Sequence, residues 1–263
     1  MDVLSCEESE KKKAMKIMSK LFVAAFVLSS AGVAWAQTAD EIVDKTVTAM
    51  GGRAALSKLT SRSSTGTITV STPGGDIAGT IEAMSALPNK SRTLITLDLS
   101  SVGAGSMVLD QRCDGTSGYA LDSMRGNREI TGGQLELMKQ NIFPTPLLTY
   151  KERGTRIDVV GKEKIGDRDA YVLSVAPASG PASKVFIDTQ SNLPIKSVVT
   201  VSLPDFGEVE QTIELSDYRE VDGIQVPFKV KGSSAIQTFT IAVSTVKHNV
   251  EIDSALFSRP AEK

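Results

Sequence analysis

The sequence contains few side chains of the types that act as nucleophiles, bases or metal ligands. His248 is the only histidine among its 263 residues, and Cys6 and Cys113 are the only cysteines. A catalytic triad would have to be built on His248, and no motif in the sequence supplies its partners. Zinc sites usually draw several ligands from His and Cys, so we expect no metal and no other cofactor. We interpret Cys113 as a small buried hydrophobic residue rather than a reactive thiol.

Carboxylates are plentiful, but five of them lie where the sequence predicts turns. Aspartate side chains at turns commonly accept hydrogen bonds from their own backbone, which is how we interpret Asp114, Asp122, Asp188, Asp217 and Asp222. No Asp-x-Asp-x-Asp-Gly run of a calcium loop occurs. Paired acids that cleave glycosides generally lie among aromatic platforms, whereas aromatic residues make up only 5% of this chain. We therefore predict that the protein is not an enzyme; a hydrolase built on His248 and an unrecognised serine is an alternative.

Residues 1–36 have the pattern of an export signal behind a short N-terminal extension. Lys16 and Lys20 precede an apolar run over residues 21–33, and Ala34-Trp35-Ala36 fits the small-x-small site of signal peptidase. The run is shorter than the ~20 apolar residues that a membrane-spanning helix needs. We therefore expect cleavage after Ala36, a location in the periplasm and no integral membrane segment. An uncleaved anchor is the alternative.

Residues 37–263 have the length of one large or two small domains, and we predict a single domain. The first 36 residues contain five of the 29 basic and four of the 31 acidic residues, which leaves a net charge of about −3. No basic tract or basic-aromatic pattern occurs, so we expect no nucleic-acid partner. Cys113 is then the only thiol, which excludes an internal disulfide even in an oxidising compartment.

The domain begins with a predicted helix. Thr38 and Glu41 have the spacing of a capping box, in which each side chain satisfies a free amide at the start of the helix. Apolar residues then recur at helical spacing as far as Gly51-Gly52, where glycine can end a helix in a left-handed conformation. A second short helix is expected over residues 53–59.

From residue 61 onwards the apolar period changes from 3.6 to 2, which is typical of antiparallel strands with one apolar face. Segments rich in Gly, Pro, Asn and Asp separate the apolar runs. The sequence predicts about 11 to 12 strands, at residues 67–70, 77–83, 94–99, 107–109, 119–121, 156–162, 169–175, 184–187, 194–203, 208–215, 224–230 and 236–246.

Two features mark the organisation of this sheet. A helix over residues 134–141 is predicted between its two halves, because Pro144 and Pro146 prevent the helix from continuing. Asp222-Gly223 between two alternating runs predicts a tight hairpin. Pro227 in the second run cannot donate to a strand ladder, so we expect its strand to be at an edge or bulged there.

A twisted sheet of this many strands must curl, split or close. We therefore predict a mainly β fold with a few helices (α+β), built as a strongly curved antiparallel sheet or half-open β-barrel with helices on its concave face. An apolar concave face that these helices leave unfilled is the default binding site. Its candidate residues, in the cavity or its lid, are Leu97, Met107, Leu109, Leu135, Met138 and Phe143. The alternative is that such residues fill the space as ordinary core.

Several segments of the chain occur in an order that is also found in a known family. The helix that ends Ala49-Met50-Gly51-Gly52 is followed by Pro88-Asn89-Lys90-Ser91-Arg92 at the start of a strand, and Phe186-Ile187-Asp188 precedes Leu193-Pro194. Residues 217–228 read Asp-Tyr-Arg-Glu-Val-Asp-Gly-Ile-Gln-Val-Pro-Phe. In this order the chain resembles the periplasmic outer-membrane lipoprotein-sorting proteins of the LolA-like superfamily.

The resemblance implies a half-open antiparallel barrel, covered by helices, whose concave face holds the acyl chains of a lipoprotein or another lipid. Arg92 is the candidate, by position on an early strand, for the gate arginine of that family. On this basis we predict a soluble periplasmic carrier whose partner is a lipid or an acylated lipoprotein. The alternative is a non-catalytic interaction module whose exposed sheet edge binds an envelope peptidase or assembly partner by strand addition.

Overall fold

A computed structural model of the protein describes residues 37–100, 103–203, 207–235 and 237–259. The predicted export signal lies outside the described residues. From Thr38 onwards the described residues form one compact unit. Within them, three α-helices accompany a sheet of 13 strands. The helices are α1 (Ala39–Ala49), α2 (Arg53–Leu56) and α3 (Gly132–Gln140), with two short 3₁₀ segments at Pro146–Leu148 and Ser254–Phe257.

All neighbouring strands of the sheet are antiparallel, in the order β6-β5-β4-β3-β2-β1-β13-β12-β11-β10-β9-β8-β7. We call β1–β6 the first wing and β7–β13 the second wing; they join where β1 pairs with β13. The strands are β1 (Ser61–Thr72), β2 (Gly75–Ala86), β3 (Lys90–Asp98), β4 (Ser106–Cys113), β5 (Gly118–Asp122), β6 (Gly126–Ile130), β7 (Arg156–Ile165), β8 (Arg168–Ala176), β9 (Ser183–Asp188), β10 (Pro194–Leu203), β11 (Gly207–Val221), β12 (Ile224–Ser233) and β13 (Thr238–His248).

The chain between the two wings has to cross the sheet. Strands β6 and β7 are consecutive in sequence but lie at opposite edges of the sheet, so residues 131–155, which contain α3, span from one wing to the other. On the first wing, the Phe143 amide donates to the Pro88 carbonyl over 3.2 Å. On the second wing, Gln140 donates to the Ser179 carbonyl over 2.6 Å. We call residues 131–155 the crossing segment, and it covers part of the concave face.

Helix α1 packs on the second wing and forms the main core. Ile42, Val43 and Val47 share one buried cluster with sheet residues that include Leu173 and Ile187. Each fully buried aliphatic side chain contributes about 1.5–3 kcal/mol through the removal of apolar surface from water. The start of α1 has the predicted capping box, since the Thr38 amide donates to Glu41 and the Glu41 amide donates to Thr38.

The end of α1 approaches the β11–β12 turn so closely that only glycine fits. Gly51 has a φ of +127°, and a Cβ at this position would lie 2.5 Å from the carbonyl oxygen of Gly223. The next contact is a hydrogen bond from the Gln225 amide to the Met50 carbonyl, 3.0 Å long. The predicted Gly-Gly stop therefore also fixes α1 to β12. Helix α2 ends at Leu56 and is shorter than predicted.

The predicted fold, a curved antiparallel sheet with few helices, is confirmed, with one strand more than expected. The additional strand is β6, which reads Gly-Asn-Arg-Glu-Ile and buries only Ile130. A single apolar residue at the edge of a sheet leaves no alternating pattern to detect. The last strand, expected from residue 236, begins at Thr238, and Ile236 lies outside the described residues.

The expectation for Pro227 is also confirmed. Strand β12 pairs with β11 along its length, but it pairs with β13 only from Lys229 to Ser233. Pro227 therefore lies in a part of β12 that has a strand on one side only, where its missing amide costs no ladder hydrogen bond.

Candidate functional site

A cavity of about 810 Å³ lies between the two wings. Its walls come from β1–β4 of the first wing, from β7–β11 of the second wing and from the crossing segment. Side chains on one face of a flat sheet all point in the same direction. The two wings can therefore line one cavity only because the sheet is strongly curved. Cavities of about 300–1,000 Å³ are typical of small-molecule binding sites. The concave face therefore has room for a ligand.

The walls combine apolar and polar side chains. Apolar ones come mainly from the second wing and the crossing segment and include Ile157, Val185, Leu215 and Met138. Polar ones come from the first wing, where they include Thr93 and Gln111, and in similar number from the crossing segment.

Apolar side chains continue along the concave face of the first wing. Paired residues of antiparallel strands share one face of a sheet, and Leu97 pairs with Met107 while Leu109 pairs with Ile95. The pair Thr93 and Gln111 lines the cavity, and the two apolar pairs follow it at steps of two residues along β3 and β4. Residues two positions apart on a strand share one face, so all three pairs lie on the concave face. These four apolar residues are half-buried, so this surface is apolar and reaches solvent.

The six candidate residues fall into three groups. Met138 lines the cavity, whereas Leu97, Met107 and Leu109 lie on the half-buried part of the concave face. Leu135 packs on β5, with its Cδ1 atom 3.0 Å from the point where a Cβ of Gly118 would lie. Phe143 is 4% exposed and belongs to the core cluster. Leu97, Met107 and Leu109 therefore share one face of the first wing, whereas Leu135, Met138 and Phe143 belong to the crossing segment.

Arg92 lines the cavity but is held by a buried carboxylate. Its guanidinium donates to both oxygens of Asp110, over 2.9 and 2.8 Å, and Arg112 donates to the same carboxylate over 3.1 and 2.8 Å. Burial alone would raise the pKa of Asp110, but the hydrogen bonds from the two arginines outweigh it and lower that pKa. The hydrogen bond from Arg92 in turn raises the pKa of the arginine. Arg92 is thus part of a fixed ion cluster on the first wing.

Arg62, which the sequence did not single out, lines the same cavity. It pairs with Ser85 on β2 and with His248 on β13, and its guanidinium carbon lies 5.6 Å from the centroid of the Phe143 ring. Burial lowers the pKa of Arg62. Arg62 lies an even number of positions from Ile68 and Val70, which indicates the same face of one strand. The predicted strand began at residue 67, so Arg62 lay outside it.

His248 has one polar partner. Its Nδ1 atom lies 3.1 Å from Oδ2 of Asp222, and its side chain is 2% exposed. The Nε2 atom is buried and has no hydrogen-bond partner among the described residues. The hydrogen bond between serine and histidine that a hydrolase would use is therefore not formed at His248 in the described part of the chain.

Three of the five turn aspartates cap their own backbone, as predicted. Asp114 accepts from the amides of Thr116 and Ser117, and Asp122 and Asp188 make equivalent contacts in their turns. Asp217 and Asp222 have positive φ values, which Asp tolerates better than most residues. Cys113 is fully buried, as expected, and burial raises the pKa of its thiol. Across the described ranges, no group of three His, Cys, Asp or Glu residues could hold a metal ion.

Among the residues that the structure describes, none of the helices has the length and apolar character required to cross a membrane. No family model matches the sequence, and no curated protein matches it. Comparison with solved structures, in contrast, gives clear similarities.

Three solved structures share the fold along most of their length. A LolA superfamily protein from Nitrosomonas europaea has a TM-score of 0.54 at 13% identity, covering 85% of this chain and 98% of that one. A DUF1329 family protein from Desulfovibrio piger has a TM-score of 0.55 at 13% identity, with coverage of 85% and 98%. A Vibrio parahaemolyticus domain named for outer membrane lipoprotein sorting has a TM-score of 0.52 at 12% identity, with coverage of 83% and 95%. The chain therefore has the fold of the LolA superfamily, as the sequence resemblance implied.

Proposed function

We propose that the protein is a non-enzymatic carrier of the periplasm that holds a lipid, or the acyl chains of a lipoprotein, on its concave face. The observation that carries this proposal is the half-buried apolar surface of Leu97, Met107 and Leu109 beside the cavity that Met138 lines. Large apolar surfaces that a soluble domain leaves partly open usually mark a binding site. The export signal expected in residues 1–36 supports the periplasmic location.

The energy of such binding does not require a specific polar group. Burial of a 16-carbon chain would contribute on the order of 10 kcal/mol, at about 0.8 kcal/mol per methylene, before the cost of ordering the chain. A curved sheet with an apolar inner face is sufficient for this.

Native mass spectrometry tests the proposal. The full-length sequence is expressed in a Gram-negative host, and the exported protein is measured under native and denaturing conditions. We expect a stoichiometric lipid or acylated peptide that is released on denaturation, and a polypeptide that begins at Gln37. A clean apo mass that also does not change with added fatty acids and phospholipids would refute the carrier.

A matched pair of variants locates the binding surface. Leu97→Asp places a charge on the concave face, whereas Val160→Asp places one on the edge strand β7, where Val160 is 56% exposed. We expect the first variant to lose the lipid and the second to keep it. Equal lipid occupancy in both variants would show that the concave face is not the binding site.

The second candidate function is an interaction module, and strand β7 is the observation in its favour. This edge strand has an unpaired side and exposes Val159 and Val160, which could accept a partner strand. Its register shift between Val159 and Gly161 and its flanking charges are features that discourage such pairing. A protein partner that persists in Leu97→Asp and is lost in Val160→Asp would favour this function over the carrier.

A further inference from the structure

Arg62 is a positively charged side chain that lines the cavity and has no anionic partner among the described residues. It is half-buried on β1 and lines the cavity together with Ser85. Its guanidinium lies over the Phe143 ring, and it makes no hydrogen bond or ion pair with any described residue. Arginine stays protonated in proteins, so a positive charge remains here uncompensated. Burying a charge in this way is costly unless an opposite charge joins it.

The strands beside Arg62 supply no such charge. Its cross-strand neighbours are Ser85 and His248, and neither is acidic. Arg92 shows the contrast within the same cavity, since both oxygens of Asp110 neutralise it. The chain thus supplies a carboxylate to Arg92, whereas no described residue supplies one to Arg62.

The cavity as a whole favours an anion. Its lining contains one acidic side chain, Glu136, which already pairs with Lys139 over 2.7 Å. The lining contains five basic side chains, of which Arg92 and Lys139 are paired with Asp110 and Glu136. The other three, Arg62, Arg153 and Lys196, form no ion pair with a described residue. An excess of one sign of charge in a partly enclosed space attracts ligands of the opposite sign.

We propose that Arg62 binds the anionic head group, a carboxylate or a phosphate, of an amphiphile whose apolar chain lies on the concave face. This inference rests on the proposed carrier function and names the class of its ligand. The N–H groups of a guanidinium lie in its plane, where two of them can donate parallel hydrogen bonds to a carboxylate or phosphate. The apolar walls at Ile157, Val185 and Leu215 line the same cavity.

Calorimetric titration of the delipidated, exported protein tests this proposal. The probes are dodecanoate, dodecyl phosphate and dodecanol, which carry the same chain on two anionic head groups and a neutral one. In the wild-type protein we expect at least one anionic probe to bind about tenfold more tightly than dodecanol, because charge-assisted hydrogen bonds are the stronger ones. Comparison of the two anions distinguishes a fatty-acid-like head group from a phosphate.

Three variants assign the effect to a residue. In Arg62→Gln we expect the preference for the anion to vanish while dodecanol binds as before, and Arg62→Lys should retain part of the preference. Arg219→Gln is the matched control, because Arg219 also lies over a phenylalanine, 4.5 Å from the centroid of Phe228, but does not line the cavity. This control should keep the full preference.

The outcomes separate the inference from the function on which it rests. Equal binding of all three probes to the wild-type protein, or a full preference in Arg62→Gln, would overturn the role of Arg62 and leave the carrier intact. Binding of none of the probes would refute the carrier and this inference together. If Arg62→Gln does not fold, Arg62→Lys decides: a reduced preference for the anion would support the role of Arg62, and a preference equal to that of the wild type would overturn it.

Discussion

The second wing of the sheet buries part of its concave face under α1, whereas the first wing leaves its concave face half-buried around Leu97 and Leu109. On the second wing Leu173 is 1% exposed and Ile187 is completely buried, both in the cluster that includes α1. On the first wing Leu97 and Leu109 are neither fully buried nor fully exposed. The same alternating pattern thus builds a core on one side and an open apolar surface on the other. One amphipathic helix covers one wing, and the crossing segment covers only part of the other.

The largest expected effect comes from the buried wing. Leu173→Ala should lower the free energy of unfolding by about 2–5 kcal/mol, because it removes buried methyl groups and leaves a cavity under α1. Leu97→Ala on the half-buried wing should cost only about 1 kcal/mol, since less surface is lost from burial. Urea denaturation measures both. Similar losses in the two variants would mean that the wings are packed equally and would remove the basis for an open binding surface.

The ion cluster of the first wing gives the next effect. Asp110→Asn should lower stability by about 2–3 kcal/mol, because Arg92 and Arg112 lose charged hydrogen bonds in a largely buried setting. Asp217→Asn is the control, since its pair with Arg219 is exposed on both sides and should contribute less than about 1 kcal/mol. Denaturation at neutral pH measures the difference between the two variants.

The same cluster predicts a dependence on pH. The pKa of Asp110 is lower in the folded protein than its ordinary value of 3.8. The contribution of Asp110 to the free energy of unfolding is therefore fully present at a pH above its ordinary pKa. It is lost as the pH falls from there towards the lower pKa of the folded protein. Wild-type protein should lose stability over this acidic range, and Asp110→Asn should lose less. A parallel decline in both proteins would show that Asp110 does not contribute.

A smaller effect comes from the start of α1. Thr38→Ala removes one half of the capping box and should cost about 1 kcal/mol. The substitution should then increase the rate of hydrogen exchange in α1, which covers the second wing, and leave the rate in the first wing unchanged. Thr48→Ala in the same helix is the control, because Thr48 only donates back to the Asp44 carbonyl and should leave exchange nearly unchanged. Faster exchange in both wings alike would indicate that α1 does not cover the second wing selectively.

Much of this fold could be predicted from the sequence because its determinants are local. The capping box of Thr38 and Glu41, the Gly51-Gly52 stop and the Asp222-Gly223 hairpin each depend on residues a few positions apart. Alternation of apolar residues likewise predicted that Leu97, Met107 and Leu109 share one apolar face of the first wing. Strand β6 was not predicted, because four of its five residues are exposed and give no such alternation.

The candidate site depends on contacts between residues that are distant in sequence, which local patterns do not contain. Pairing of β1 with β13 sends β6 and β7 to opposite edges, and only this topology makes residues 131–155 cross the concave face. Whether an apolar strand face becomes core or remains open is decided by where α1 packs. The charge state of the cavity has the same origin, because Arg92 pairs with Asp110 across strands, whereas the cross-strand neighbours of Arg62, Ser85 and His248, are not acidic. Sequence spacing determines the elements, and the tertiary structure decides which of their side chains are left without a partner.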